Sequence, residues 1–331
     1  MVTALVTGAT GFVGSHVARA LADAGHRVRA LHRAASKLDA LNGIPYESYI
    51  GDILDSDALC AACAGCDWVF HVAAVADYWR ADHNRMMEAN VEGTRRVLAA
   101  ARAMGVRRVV FTSSAAAVGG YGIGRLADER DPFDLPPDLF PYGYSKWLAE
   151  GVARAAAAAG QDVVIVNPVV VLGPGDLNVI SGAFVLKIHR YRWLFPVTSG
   201  GVAVTDVRDV ARWHVAAAAR GVSGERYLLG TANLFYPAWY ALIADAIGVA
   251  RPGIPVPAWL LPPLAGLIDT LKARGIQLPI DGDQARLGAK MLYYDFNKAW
   301  TTLGAPQIDM RQSARDTFAW YAAHGYVKGA E

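Results

Sequence analysis

The sequence has 331 residues, of which 53% are hydrophobic and 19% are charged, and its formal net charge is +2 at pH 7. This composition can supply a large buried core and excludes an intrinsically disordered chain. No basic stripe stands out, so the sequence gives no reason to expect nucleic acid as a partner. The length exceeds one simple core, and we expect a large domain with a smaller one appended.

The first predicted strand begins at residue 2 and leaves no room for a cleavable leader, so we expect a cytoplasmic protein. An apolar stretch at 256–268 is too short and too rich in proline to span a bilayer. We expect it to form a lid over a substrate, with contact to a membrane surface as the alternative.

The three cysteines, Cys60, Cys63 and Cys66, have the two-residue gaps that recur in metal and iron–sulfur sites. They lie in an alanine-rich helical run, and the sequence contains no fourth thiol. We therefore expect no metal and interpret them as small packing residues.

The opening stretch joins a β-branched apolar run to three glycines spaced three apart, followed by apolar residues at helical spacing. This pattern predicts a strand, a tight turn and the start of a helix. Glycine permits the turn and the close approach of a pyrophosphate, which the free N–H groups and dipole of the helix attract. The first gap is one residue longer than in the usual dinucleotide fingerprint. The predicted cofactor contacts are Gly8, Thr10, Gly11, Phe12, Val13 and Gly14.

Strand and helix signals alternate through the first half, which predicts an α/β fold of the Rossmann type with a doubly wound parallel sheet. The predicted strands lie at 2–7, 27–32, 45–50, 67–72, 107–112 and 162–167. The predicted helices lie at 12–24, 56–64, 83–103 and 142–159. We place a dinucleotide-binding domain at 1–168, with segments near 202–230 returning to its sheet. A smaller C-terminal substrate-binding domain is expected mainly at 169–331.

Tyr142 and Lys146 lie one turn apart on the same face of a predicted helix. A phenol has a pKa of about 10, and a nearby ammonium should lower it by stabilising the phenolate. Such a pair can give a proton to a carbonyl oxygen as a hydride reaches the carbon. Ser114 follows the strand at 107–112, where its hydroxyl could hold the same oxygen, although hydroxyls also form turns there.

The end of the second strand carries Arg33 and Lys37, and no acidic residue occurs before Asp39. A carboxylate at this place holds the ribose of NAD, whereas arginine accommodates the 2′-phosphate of NADP. We therefore predict NADP(H) rather than NAD(H), with a solvated strand end as the alternative. Asp52 and Ile53 after the third strand are predicted to contact the adenine, and Asp52 could also cap the next helix.

Several motifs follow one another along residues 1–220. They are the glycine turn, His71-Val72-Ala73-Ala74, Asn90-Val91-Glu92-Gly93-Thr94, Thr112-Ser113-Ser114, Tyr142 with Lys146, and Asn167-Pro168. Together they resemble the extended short-chain dehydrogenase/reductases, of the NAD-dependent epimerase/dehydratase type. Through 65–73 and 225–230 the chain is most similar to dihydroflavonol-reductase-like and hopanoid-associated epimerase-like members.

The resemblance implies that Ser114, Tyr142 and Lys146 form the catalytic triad, with Lys146 also on the nicotinamide ribose. It implies a supporting role for Asn90 and a homodimer formed through the helices at 83–103 and 142–159. The further cofactor contacts that it implies are Val72, Ala73, Ala74, Thr112, Asn167, Pro168 and Val169.

Sugar-nucleotide dehydratases of this superfamily carry an Asp-Glu pair directly after the triad hydroxyl. This chain has Ala115 and Ala116 there, which can neither give nor take a proton. The apolar, tryptophan-bearing second half favours an uncharged, partly hydrophobic substrate. The sequence thus predicts NADP(H)-dependent reduction of an aldehyde or ketone, with Tyr142 as the general acid.

Three alternatives stay open. Arg190, Arg192 and Arg208 leave room for a sugar-nucleotide epimerase, since clustered cations suit a diphosphate. The apolar second half also suits an enzyme resembling 3β-hydroxysteroid dehydrogenase. A non-enzymatic sensor of the NADP redox state is the third.

Overall fold

The computed structural model describes residues 1–76, 82–119, 125–276, 286 and 288–327. Its main sheet is seven-stranded and parallel, in the order β10-β6-β5-β4-β1-β2-β3. The strands are β1 (Thr3–Thr7), β2 (Arg27–His32), β3 (Glu47–Ile50), β4 (Trp68–His71), β5 (Arg108–Thr112), β6 (Val163–Pro168) and β10 (Arg226–Leu229). The chain runs from β1 outwards on one side and from β4 outwards on the other, so the order reverses between β1 and β4. Ligands bind at such a switch point, beyond the carboxyl ends of the strands.

Helices cover both faces of this sheet. They are α1 (Phe12–Asp23), α2 (Ser56–Cys63), α3 (His83–Met87), α4 (Gly93–Ala103), α5 (Pro141–Ala158) and α7 (Val207–Arg220). Val6 of β1 faces a buried cluster that includes α1 and α7, whereas its neighbour Leu5 faces a cluster that includes α2, α4 and α5. Alternate residues of the central strand therefore enter two cores, which is why this strand is apolar throughout.

A second group of elements lies mostly beyond residue 169. Its strands are β7 (Val170–Leu172), β8 (Pro196–Thr198), β9 (Gly201–Asp206), β11 (Ala232–Phe235), β12 (Ile254–Val256) and β13 (Met291–Leu292). Its helices are α6 (Ala183–Tyr191), α8 (Tyr236–Ile247), α9 (Leu261–Ala273), Asn297–Leu303 and Met310–Ala323. Strand β9 pairs antiparallel with β11 and parallel with β7 and β13, while β8 pairs with β12. Trp239 and Ile243 of α8 are fully buried in the core of this group.

Short helical turns complete the described elements. Residues 39–41, 115–117, 192–194 and 258–260 form 3₁₀ turns, and Glu88–Glu92 forms a π-helical turn between α3 and α4. In the part of the chain that the structure describes, no helix has the length and apolar character needed to cross a membrane.

The doubly wound parallel sheet predicted from the sequence is confirmed, and each predicted strand and helix of the first half is present within a few residues. The helix predicted at 83–103 is present as α3 and α4, which the π turn at Glu88–Glu92 joins. One expectation for the segment near 202–230 is wrong: β9 belongs to the second sheet. Only β10 joins the main sheet from that segment, while α7 packs against α1.

Candidate active site

A cavity of about 1600 Å³ lies along the carboxyl edge of the main sheet. Ligand pockets are commonly 300–1,000 Å³, so this one has room for a dinucleotide together with a substrate. The predicted site residues that line it are Gly8, Thr10, Gly11, Phe12, Val13, Gly14, Arg33, Lys37, Asp52, Ile53, Val72, Ala73, Ala74, Thr112, Ser114, Tyr142, Lys146, Pro168 and Val169. Asn167 is absent from this wall and lies fully buried behind it.

The glycine turn is built so tightly that side chains would not fit. Gly8 has φ +68°, and a Cβ there would lie 2.7 Å from the Ala73 backbone. A Cβ on Gly14 would lie 2.1 Å from the Gly8 carbonyl oxygen. Helix α1 begins directly after Gly11 and has no side-chain cap, which leaves its first N–H groups available to an anion. This geometry fits a pyrophosphate.

The three residues of the predicted triad meet in the same cavity. Ser114 lies two residues beyond β5 and caps the 3₁₀ turn that follows, its Oγ accepting from Ala116 N at 3.2 Å. Tyr142 lies in the first turn of α5, and its phenol shares a hydrogen bond with the Ser114 side chain. Lys146 is buried one turn later, where its Nζ donates to the Thr112 carbonyl oxygen at 2.8 Å.

The pKa of Tyr142 differs from the sequence-based expectation. Burial of the phenol raises its pKa to about 12, and the hydrogen bond from Ser114 opposes that rise. A net lowering is not found, because burial of the phenol outweighs any stabilisation of the phenolate by the Lys146 ammonium, which donates to the Thr112 carbonyl oxygen. Tyr142 is therefore protonated at neutral pH, which suits a proton donor better than a base.

The predicted adenosine end lies beyond β2 and β3. Arg33 and Lys37 are exposed and line the cavity there. Asp52 accepts a hydrogen bond from Leu54 N at 3.0 Å and does not cap α2. Asp55 is the capping residue, with Oδ1 3.1 Å from the N atoms of residues 57 and 58.

A buried polar network behind the cavity connects β1, β4 and α4. His71 contacts Thr7 Oγ1 through Nδ1 at 2.9 Å and Thr94 Oγ1 through Nε2 at 3.1 Å. Thr7 Oγ1 in turn accepts from Ala73 N at 3.2 Å, which fixes one wall of the cavity. Burial lowers the pKa of His71 to about 3, so the ring is neutral.

Asn90 connects that wall to the catalytic helix from within the π turn. Its amide exchanges hydrogen bonds with the backbone N and O of Val75, and its Nδ2 also donates to Ser145 Oγ at 3.0 Å. Ser145 Oγ donates onwards to the Tyr142 carbonyl oxygen at 2.7 Å. The supporting role that the family resemblance implies for Asn90 thus has a geometric basis, and π turns often occur at functional sites.

The far end of the cavity is lined by aromatic and aliphatic side chains that sequence reasoning did not single out. Phe184 of α6 lies near Tyr240 of α8, with ring centroids 6.0 Å apart, and Tyr240 also lies near Tyr236. Val256, Leu261 and Leu264, from the predicted lid, line the same end. The aromatic residues come from two separate helices, and no local pattern in the sequence marks them, whereas the aliphatic residues lie in the stretch that the sequence predicts as a lid.

The three arginines that kept a sugar-nucleotide substrate open are placed differently from one another. Arg190 lines the cavity. Arg192 is exposed on the 3₁₀ turn after α6. Arg208 is held by Asp206 at 2.9 Å and by Asp316 at 2.7 Å. They do not form one cationic cluster.

The cysteine run forms the end of α2 and the turn after it. Cys63 and Cys66 are buried, and burial raises the pKa of the Cys63 thiol to about 12. The described residues include no group of three or more His, Cys, Asp or Glu side chains that could hold a metal ion.

A dinucleotide-sized cavity at the switch point and a serine, tyrosine and lysine that meet in its wall define an extended short-chain dehydrogenase/reductase. The chain belongs to the NAD-dependent epimerase/dehydratase family, whose model matches residues 4–230. This is the family that the sequence motifs indicated, and it uses a nicotinamide dinucleotide.

Three similar proteins cover nearly the whole chain. A Synechocystis sp. protein provisionally named dihydroflavonol 4-reductase is 39% identical over 98% of this chain and 95% of its own length. Sterol demethylase protein B of Methylococcus capsulatus is 31% identical over 98% of this chain and 100% of its own. The solved structure of a nucleoside-diphosphate-sugar epimerase from Pseudomonas aeruginosa has a TM-score of 0.83 and 27% identity, covering 99% of each chain.

Proposed function

We propose that this protein reduces an aldehyde or ketone to an alcohol with NADPH. The observation that carries the proposal is that Ser114, Tyr142 and Lys146 line one cavity, where the Tyr142 phenol is hydrogen-bonded to Ser114. A reduced nicotinamide, when bound, supplies the hydride for the carbonyl carbon.

The residues of the chain handle the oxygen and the proton. Ser114 Oγ donates a hydrogen bond to the carbonyl oxygen, and Tyr142 Oη transfers its proton to that oxygen as the carbon is reduced. Lys146, one turn further along α5, provides the positive charge that stabilises the phenolate left behind. The proton lost by Tyr142 is replaced from solvent.

NADP(H) is the proposed cofactor because of the residues around β2. The glycine turn and the uncapped start of α1 fit the pyrophosphate, and Arg33, Ser36 and Lys37 line the cavity where the 2′-phosphate would lie. We expect a lower KM for NADPH than for NADH. A clear preference for NADH would overturn this part of the proposal.

The proposed substrate is uncharged and partly hydrophobic. Phe184, Tyr236, Tyr240 and Leu261 supply aromatic and aliphatic surface to the same cavity as the triad. Ala115 and Ala116 line the cavity where a dehydratase needs carboxylic acids, which disfavours the elimination of water. The similarity to a protein named dihydroflavonol 4-reductase supports a reductase.

A second candidate is the oxidation of an alcohol on a polycyclic lipid with NADP⁺. The name of the Methylococcus capsulatus relative, sterol demethylase protein B, favours it. The same triad serves both directions, with Tyr142 receiving a proton instead of giving one.

The test is NADPH oxidation with a panel of aliphatic, aromatic and polycyclic carbonyl compounds, run beside NADP⁺ reduction with the corresponding alcohols. We expect turnover of at least one apolar carbonyl compound, and a hundredfold or larger loss in Tyr142→Phe. NADPH binding by Tyr142→Phe, measured by fluorescence titration, should stay within a few fold of wild type. Near-wild-type reduction by this variant would overturn the mechanism. NADPH binding without turnover of any compound would favour the redox sensor.

A further inference from the structure

Glu150 is a fully buried carboxylate on α5, one turn beyond Lys146. Four donors surround it, two on each oxygen. Oε1 accepts from Ser113 Oγ at 2.7 Å and from Asn167 Nδ2 at 2.6 Å. Oε2 accepts from Arg154 at 2.9 Å and from Arg226 at 3.0 Å. A buried charge needs such partners, and removing one of them is costly.

Two of these donors connect Glu150 to the triad serine. Ser113 immediately precedes Ser114 at the end of β5. Asn167 Nδ2, besides contacting Glu150, donates to the Ser114 carbonyl oxygen at 2.9 Å. The carboxylate therefore holds the backbone on both sides of the Ser114 peptide, which fixes where its Oγ points.

Lys146 and Glu150 are both buried and lie four residues apart on the same side of α5, so the charge of the carboxylate acts on the ammonium. Burial lowers the pKa of Lys146 to about 8, and the Glu150 carboxylate opposes that shift. Among the described residues, the ammonium also interacts with the Thr112 carbonyl oxygen of β5, the Phe111 ring at 5.2 Å and the neutral His71 of β4. None of these carries a negative charge.

Arg154 and Arg226 modulate the carboxylate in the opposite sense, because each neutralises part of its charge. Arg226 is almost fully buried on β10 and also donates to the carbonyl oxygens of Glu129 and Asp131. Arg154 is about half exposed at the surface of α5. When Arg154 is changed, Oε2 of Glu150 still accepts a hydrogen bond from Arg226, so the buried carboxylate keeps a partner on each oxygen.

We propose that Glu150 is a positioning residue for carbonyl reduction, which orients Ser114 and supplies a negative charge beside the Lys146 ammonium. This inference rests on the proposed reductase function. It adds a fourth residue, beyond the wall of the cavity, to the machinery around the triad.

The proposal predicts the direction in which the pH dependence of the reduction rate shifts in each variant. Reduction needs the Lys146 ammonium, so the rate should fall as pH rises through the pKa of Lys146, near 8. Loss of the Glu150 charge lowers that pKa and moves the fall to lower pH. Loss of Arg154 strengthens the negative field of Glu150 and moves the fall to higher pH.

The experiment compares wild type, Glu150→Gln and Arg154→Met by kcat and KM for NADPH-dependent reduction between pH 6 and 10. We expect the alkaline fall of kcat to move down by about one pH unit in Glu150→Gln, and up by a few tenths in Arg154→Met. KM for NADPH should change by less than threefold in both variants.

A uniform loss of rate in Glu150→Gln, with the alkaline fall at the wild-type pH, would show a merely structural role and overturn the proposal. If Glu150→Gln does not fold, as judged by circular dichroism, Arg154→Met decides the matter. The proposal is overturned if the alkaline fall of kcat in Arg154→Met occurs at the wild-type pH or at a lower pH. Wild type must turn over the chosen carbonyl compound first, so failure of the reductase function is recognised before either variant is interpreted.

Discussion

The two ends of the cavity are formed by different kinds of residue. The part of the proposed cofactor end that would hold the pyrophosphate is a backbone turn from one continuous stretch, in which Gly8 and Gly14 face each other. The substrate end consists of large side chains, such as Phe184 and Tyr240, from helices far apart in the sequence. The shape of the cofactor end depends on the absence of side chains at its glycines, whereas the shape of the substrate end depends on how separate helices pack together.

This contrast suggests that the two ends can be changed independently. Substitutions at the cofactor end should act on NADPH affinity and leave substrate selection intact. Substitutions at the substrate end should do the reverse. The following experiments test that separation, from the largest expected effect to the smallest.

Gly14→Ala should damage the cofactor end most. The new methyl group would lie 2.1 Å from the Gly8 carbonyl oxygen, and backbone must move to relieve that contact. The N–H groups aimed at the pyrophosphate move with it, and each charge-assisted hydrogen bond contributes about 1.5–3 kcal/mol. We expect NADPH affinity to fall at least a hundredfold by fluorescence titration.

Gly151→Ala is the matched control for Gly14→Ala. A Cβ at this glycine of α5 meets no atom within 4 Å, so the change adds a methyl group in open space. Its NADPH affinity should equal that of wild type, and its stability should be unchanged or higher by about 0.5–1 kcal/mol. An equal loss of affinity in both variants would show that steric contact in the turn is not the cause.

Arg33→Ala should raise the KM for NADPH by roughly ten- to a hundredfold, the value of one charge-assisted contact to a phosphate. The KM for NADH should change less than twofold, because NADH has no 2′-phosphate. Arg102→Ala, which removes an exposed arginine of α4, is the control for net charge. Parallel changes for both cofactors would contradict the assignment of Arg33.

Phe184→Ala should raise the KM for an apolar aromatic carbonyl compound by about tenfold, since part of a phenyl contact is lost. The KM for NADPH and the rate with a short aliphatic aldehyde should stay near wild type. A matching rise in the KM for NADPH would break the proposed separation of the two ends.

Acid should weaken the support behind the cofactor end. The pKa of His71 is about 3 in the folded protein and 6.5 in the unfolded chain, so the unfolded state binds the extra proton between these values. Stability from this group is complete above pH 6.5 and falls by about 1.4 kcal/mol per pH unit as pH drops below it.

His71→Gln should remove this slope, seen as a flatter dependence of urea midpoint on pH between 6.5 and 5. His83→Gln, at an exposed histidine of α3, is the control. Equal slopes in wild type and His71→Gln would show that this ring does not titrate as its burial implies.

Much of the site could be read from the sequence where the signal was local. The glycine turn, the position of Ser114 at the end of β5 and the one-turn spacing of Tyr142 and Lys146 depend on neighbours in the chain. Even so, the cap of α2 is Asp55 and not Asp52. Both aspartates precede the helix, and the difference is three residues, which sequence patterns resolve poorly.

Glu150 lies at the same spacing from Lys146 as Lys146 does from Tyr142, so its place on α5 was visible. Its hydrogen-bond partners could not be predicted from the sequence. Arg226, 76 residues away, meets it only because β10 returns to the edge of the main sheet beside β6.

The sequence by itself determined the elements of the first half, the parallel sheet that they form and the glycine turn, because backbone sterics and side-chain periodicity act over a few residues. Only the tertiary structure decided the burial of the Tyr142 phenol, the partners of Glu150 and the aromatic wall of the cavity. Desolvation and packing are set by atoms that arrive from distant parts of the chain.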